Sequence, residues 1–299
     1  VSEHARTARR PRPRLGKLPA YFELTKPRIT LLVLAVAAGS FCLATMPAVP
    51  LPRLGETLLG VTALAFGIFA LNHYAERETD ALMLRTAHRP LPSGRIKAGE
   101  ALALGTVLTA AAVVGFFAAL GAAAGLVALA TFISYIHVYT PLKRRTMHHT
   151  IPGAISGAMP PLLGWASARG SLDLEAWVLF GILFFWQFPH FLALELMYRE
   201  DYQRGGIRVI TAANVSGAWM VVEILLAMTF LAAASLAPFF LGMAGLVYLV
   251  GGSVLAFAFA LFAVRAAILR DKRSGRLLLR SSIAYLPVLF LLLLVTHLR

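Results

Sequence analysis

The sequence predicts an all-α polytopic membrane protein of nine transmembrane helices with a cytoplasmic N-terminus. Three observations carry the prediction. Hydrophobic residues make up 59% of the 299 and charged residues only 14%, at a mean hydropathy of +0.74, so the chain has more apolar surface than a soluble globule of its length could bury. Runs of about 20 apolar residues, enough to cross a hydrocarbon core of about 30 Å, recur along it. Lysine and arginine, which are retained in cytoplasmic loops, alternate between rich and poor intervals.

Residues 1–18, rich in Arg and Pro, read as a disordered basic arm that anchors topology, since no short apolar region with a small-residue cleavage site follows. Residues 19–299 form one domain. Its spans are expected at 29–46, 54–75, 99–119, 121–140, 151–168, 175–197, 214–236, 239–264 and 279–297, separated by short basic or Pro/Gly-containing breaks. With the N-terminus inside, 25 of the 28 Lys and Arg fall on the cytoplasmic side, leaving Arg53, Arg169 and Arg299 on the other. The net charge of +14 is thus spread over five loops beside anionic headgroups, which excludes a nucleic-acid surface. The single cysteine, Cys42, rules out an intrachain disulfide and a Cys-rich metal site.

Polar residues collect on one side. At the end of the second span Asn72, Glu76 and Asp80 recur every four residues, so on an α-helix an amide and two carboxylates stack along one face. A column of hard oxygen donors suits Mg²⁺, which takes one or two carboxylates plus substrate phosphate oxygens. The plainer alternative is a solvated helix end with its acids paired to Arg77 or Arg85. Next comes Arg85-Thr86-Ala87-His88-Arg89-Pro90-Leu91-Pro92-Ser93-Gly94-Arg95, in which Pro and Gly stop the helix and Arg85, Arg89 and Arg95 offer planar anion-binding forks. Such a loop beside a metal column points to a diphosphate.

Lys143, after Tyr139 at the end of the fourth span, is placed to neutralise a departing diphosphate, whereas Arg144 and Arg145 read as snorkelling anchors. The sixth span carries Trp186-Gln187-Phe188-Pro189-His190-Phe191, then Tyr198 and Asp201. Ionisable groups in a bilayer usually face a cavity, so Gln187 and His190 are candidates for contact with a flat aromatic substrate, Tyr139 and Tyr198 for lining the site, and Asp201 for a second carboxylate.

At these residues the chain resembles the UbiA superfamily of intramembrane prenyltransferases and, within it, the protohaem IX farnesyltransferases. The likeness runs from Leu24-Thr25-Lys26-Pro27-Arg28-Ile29 to Ser282-Ile283-Ala284-Tyr285-Leu286. Arg89-Pro90-Leu91-Pro92-Ser93-Gly94-Arg95-Ile96, Trp186-Gln187-Phe188-Pro189-His190-Phe191, and Asp201-Tyr202 with Gly205-Gly206 are its most specific stretches. The resemblance implies nine helices around a central cavity in the cell (inner) membrane. It also implies Mg²⁺ held by Asn72, Glu76, Asp80 and Asp201, a farnesyl diphosphate head met by Lys143 and Arg89, and protohaem IX as the acceptor. Ionisation of the allylic C–O bond, attack by a haem vinyl group and capture of water would give haem O, which a haem A synthase would receive for haem-copper oxidase assembly. Gly205 stands where the wider superfamily has another acid. Two rivals follow from the residues: prenylation of a quinone precursor or chlorophyll-like acceptor, because the column reads the diphosphate and not the acceptor, and a secondary transporter using its intramembrane Glu and His.

Overall fold

The computed structural model describes residues 16–212 and 217–297, and these are almost entirely helical. In chain order the helices are α1 (Lys17–Leu24), α2 (Pro27–Thr45), α3 (Leu51–Leu82), α4 (Ala98–Leu120), α5 (Ala122–Leu142), α6 (Thr150–Gly157), α7 (Met159–Arg169), α8 (Leu174–Arg204), α9 (Gly217–Phe240), α10 (Leu246–Leu269) and α11 (Lys272–Val295). Eight of them, all but α1, α6 and α7, are long and apolar enough to cross a membrane. Large side chains such as Leu59, Val107, Phe257 and Leu291 face outward, as in a multi-pass membrane protein whose outer surface meets lipid tails.

The expected spans correspond to these helices with shifted ends. The fifth, 151–168, is two helices, α6 and α7, broken at Ala158 (φ −93°, ψ 0°). Pro160 and Pro161 supply the reason. Proline lacks the N–H that a continuing helix needs and is tolerated in a first turn. Pro238 lies inside α9, which ends two residues later at Phe240, and Gly242 (φ +71°) follows in the turn. Residues 214–216 of the seventh expected span lie outside the described residues, as do residues 1–15 of the expected arm. Lys17 and Leu18, assigned to that arm, open α1 instead.

One large apolar core joins the long helices, and a smaller cluster of Ala20, Leu24, Leu91, Ile96 and Ala101 binds α1 to the loop after α3 and to α4. That second cluster fixes the basic end of the bundle. Close backbone approach locks α2 to α7, where a Cβ on Gly164 would overlap the main-chain oxygen of Ala37. α3 continues past the apolar run to Leu82, so the whole Asn72–Asp80 segment is helical.

A cation-capped acidic stripe as candidate active site

Helical geometry puts Asn72, Glu76 and Asp80 on one stripe of α3, as the spacing predicts. Asn72 is 1% and Asp80 0% exposed, which excludes the solvated helix end; Glu78, on another face, is exposed and pairs with Arg77. Each stripe residue meets a cation from a different part of the chain. Lys26 Nζ donates to Asn72 Oδ1 at 2.8 Å and lies 5.0 Å from the Phe69 ring centroid. Lys143 Nζ donates to Glu76 Oε1 at 2.6 Å. Arg89 Nη1 donates to both Asp80 oxygens, at 2.9 and 2.7 Å. Asn72 also donates to Thr140 Oγ1 at 3.4 Å, tying α3 to the end of α5.

The electrostatics follow from burial. Lys26 is pulled down to about 7, chiefly because burial disfavours its charge and then because Arg89 is near. Burial also opposes the charge of Lys143, but Glu76 and the Tyr139 and Tyr135 rings outweigh it and hold this ammonium above the usual lysine range. With Lys26 protonated, three cations face two carboxylates and leave one positive charge uncompensated; with Lys26 neutral the charges balance, so an arriving anion would favour the protonated ammonium. Its oxygens are hard donors already holding ammonium and guanidinium groups where a metal cation would sit, so the stripe fits a divalent ion by donor chemistry.

The loop is braced from α8. Asp201 accepts the main-chain N–H of Leu84 at 3.0 Å and of Arg85 at 3.3 Å, and Arg204 donates to it at 3.0 Å. Both carboxylate oxygens are thus engaged in holding the loop, and among the described residues no group of three His, Cys, Asp or Glu is gathered as a metal cluster. Arg85 stacks on Tyr198, 4.8 Å from the ring centroid, where α8 is kinked (Tyr198 φ −119°, ψ 22°). Tyr139 lies under Lys143 at 4.3 Å. Arg95, expected to bind substrate, instead turns to α1: it pairs with Glu23 at 2.7 Å and donates to His88 O at 2.6 Å. The tight turn Pro90–Ile96 aims it away from the stripe. At Gly205 a Cβ would lie 3.0 Å from Met83 and 3.2 Å from Thr79, so any side chain there would press on both.

Deeper in α8, Gln187 Nε2 donates to Ala154 O and Leu183 O, Trp186 Nε1 donates to Ser282 O, and His190 Nδ1 lies 2.9 Å from Ser282 Oγ. Sequence reasoning missed Lys26. It stands directly before the proline that opens α2, held in the left-handed region (φ 46°, ψ 60°), where a non-glycine residue is uncommon and costs energy. Sequence reasoning also passed over His73, which is 2% exposed with neither ring nitrogen partnered in the structure.

A nine-tenths stretch of the chain, residues 31–294, matches the model of the UbiA prenyltransferase family, and the chain belongs to that family. Within it, the chain is 42% identical over 283 residues to a protoheme IX farnesyltransferase of Solibacter usitatus, covering 92% of this chain and 97% of the relative. It is 38% identical to one of Anaeromyxobacter dehalogenans, covering 98% of each. Among solved structures, a digeranylgeranylglyceryl phosphate synthase superposes with a TM-score of 0.80 at 14% identity, covering 94% of this chain and 98% of that one. A UbiA homolog from Archaeoglobus fulgidus bound to GPP and Mg²⁺ superposes with a TM-score of 0.67 at 16% identity, covering 90% and 99%. Those two likenesses concern the fold.

Proposed function

We infer that this protein transfers the farnesyl group of farnesyl diphosphate to a vinyl group of protohaem IX, with addition of water, to give haem O. The observation that carries the reading is the buried stripe whose three oxygen-bearing side chains are each met by a cation. The 42% identity to a relative of that name supports the acceptor.

Lys26, Lys143 and Arg89 would receive the diphosphate oxygens, exchanging one anionic partner for another. We assign the hold on Mg²⁺ to Asn72, Glu76 and Asp80. A divalent cation bound there supplies a positive charge against which the diphosphate leaves. The C1–O bond breaks with its electron pair going to the diphosphate, and positioned cations stabilise that growing charge before it forms. The vinyl carbon bonds to C1, water adds to the carbon left electron-deficient, and a proton is released. Asp201 acts by holding Leu84 and Arg85 so that Arg89 stays over Asp80. The setting is the cell inner membrane with the basic end in the cytoplasm, and a haem A synthase is the natural recipient of the product.

Purified protein given protohaem, farnesyl diphosphate and Mg²⁺ should form farnesylated haem, read by mass spectrometry. Turnover with a phenolic acceptor and none with protohaem overturns the acceptor.

A further inference from the structure

His190 is fixed by Trp186, Ser282 and the neighbouring Phe191 ring. Its ring stacks on the Trp186 indole, with centroids 4.6 Å apart and planes inclined by 22°. Trp186 is itself pinned to α11 by its bond to Ser282 O at 2.9 Å. On the imidazole edge, Nδ1 meets Ser282 Oγ at 2.9 Å, and Ser282 Oγ donates to Leu279 O at 2.8 Å. A hydroxyl has one proton. With that proton on the Leu279 carbonyl, Oγ accepts from His190 Nδ1–H, so the neutral ring carries its hydrogen on Nδ1 and its free lone pair on Nε2. Among the described residues Nε2 has no hydrogen-bond partner, and His190 as a residue is part-buried and not sealed in the core.

Its depth is informative. The bonds from Leu84 and Arg85 to Asp201 set the ends of α3 and α8 level, and both helices run toward that end. His190 precedes Asp201 by 11 residues and Asn72 precedes Leu82, the last residue of α3, by 10, so at about 1.5 Å per residue both lie roughly 15–17 Å in. His190 therefore stands level with the inner end of the stripe, where the farnesyl chain leaves the diphosphate site.

A histidine whose Nδ1–H is fixed by a protein acceptor and whose Nε2 is free is built to ligate a metal through Nε2. A porphyrin iron held by a single histidine is its commonest form with a flat ligand. We propose that His190 Nε2 is an axial ligand of the protohaem iron, and that Ser282 is the positioning residue that sets its tautomer. One coordinate bond forms as the Nε2 lone pair enters an open or water-occupied axial position. Any displaced water leaves, Nδ1 keeps its proton, and no electron is transferred. The iron then serves as a handle that presents a vinyl group to C1. This rests on protohaem being the acceptor.

The test is titration of the full-length protein in detergent with ferric protohaem, followed by Soret absorption and resonance Raman for an iron–imidazole bond. Wild type should show that bond and prefer protohaem to metal-free protoporphyrin IX. His190→Ala should lose the bond and bind protohaem about 10- to 100-fold more weakly, with added imidazole restoring the signature. Metal-free protoporphyrin should bind both proteins alike. Ser282→Ala should keep the bond with a shifted iron–nitrogen stretch. Should His190→Ala misfold, His190→Gln and the wild-type preference for the iron form still decide the matter. Unchanged spectra in the variants, with farnesylated haem still made by wild type, overturn the ligand alone. Wild type that farnesylates only a phenolic acceptor overturns the acceptor reading beneath it.

Discussion

Lys143 reaches from the end of α5 to within 2.6 Å of Glu76 on α3, and both side chains are only 15% exposed. The two residues are 67 positions apart, yet they meet as the central contact of a site with a cation on every rung.

Removing one member of that pair leaves the other charged in a poorly solvated place. Lys143→Met should lower stability by about 3 kcal/mol, while the double variant Lys143→Met, Glu76→Gln should recover much of the loss. Thermal unfolding in detergent measures both. A double variant no more stable than the single would mean that the charges act independently.

Asp80 and Asp201 should be separable by their metal response. Asp80→Asn should reduce kcat by about 100-fold and raise the Mg²⁺ concentration required. Asp201→Asn should instead leave the Mg²⁺ requirement unchanged, raise KM for farnesyl diphosphate and speed amide exchange at Leu84 and Arg85. A raised Mg²⁺ requirement in Asp201→Asn would make that carboxylate a ligand.

Gly164→Ala should cost about 1–3 kcal/mol, because its Cβ meets the Ala37 main chain and forces α2 from α7. Gly99→Ala, in the first turn of α4 with nothing within 4 Å of its Cβ, should be neutral or gain up to about 1 kcal/mol. Equal unfolding temperatures for the two would disprove close packing at Gly164.

Far from the basic end, Asp173 accepts Trp165 Nε1–H at 3.0 Å and Ser171 Oγ–H at 2.9 Å, and these bonds, with Arg169, hold its carboxyl below the usual range. A depressed folded pKa means that stability is present above the unfolded value, about 3.9, and is lost as pH falls through the folded one. Wild type should melt above Asp173→Asn at pH 6, with the gap closing below pH 4. A constant gap would show that the charge of Asp173 contributes nothing.

The helices and the stripe were legible because both obey local periodicities: apolar runs of membrane length, and side chains repeating every four residues. The break at Ala158 was written in Pro160 and Pro161 but hidden by the apolar character around them. The work of Asp201 was not legible, since its partners are main-chain N–H groups over 100 residues away that carry no sequence signal. Lys26 escaped for a related reason. Its contact with Asn72 spans 46 positions and depends on a left-handed turn that nothing local requires. Arg95 has the same chemistry as Arg89, and only the turn at Pro90–Ile96 sends them to different neighbours.

The order in which the chain is synthesised gives the spacing of these contacts a second meaning. Asp80 finds Arg89 nine residues later, almost as soon as both leave the ribosome, whereas Glu76 must wait for Lys143 to be made. Until α5 arrives, Glu76 lacks its contact with Lys143 and has only the earlier Lys26 nearby to offset its charge, a costly position for an acid. Assembly of the bundle is thereby coupled to completion of the site.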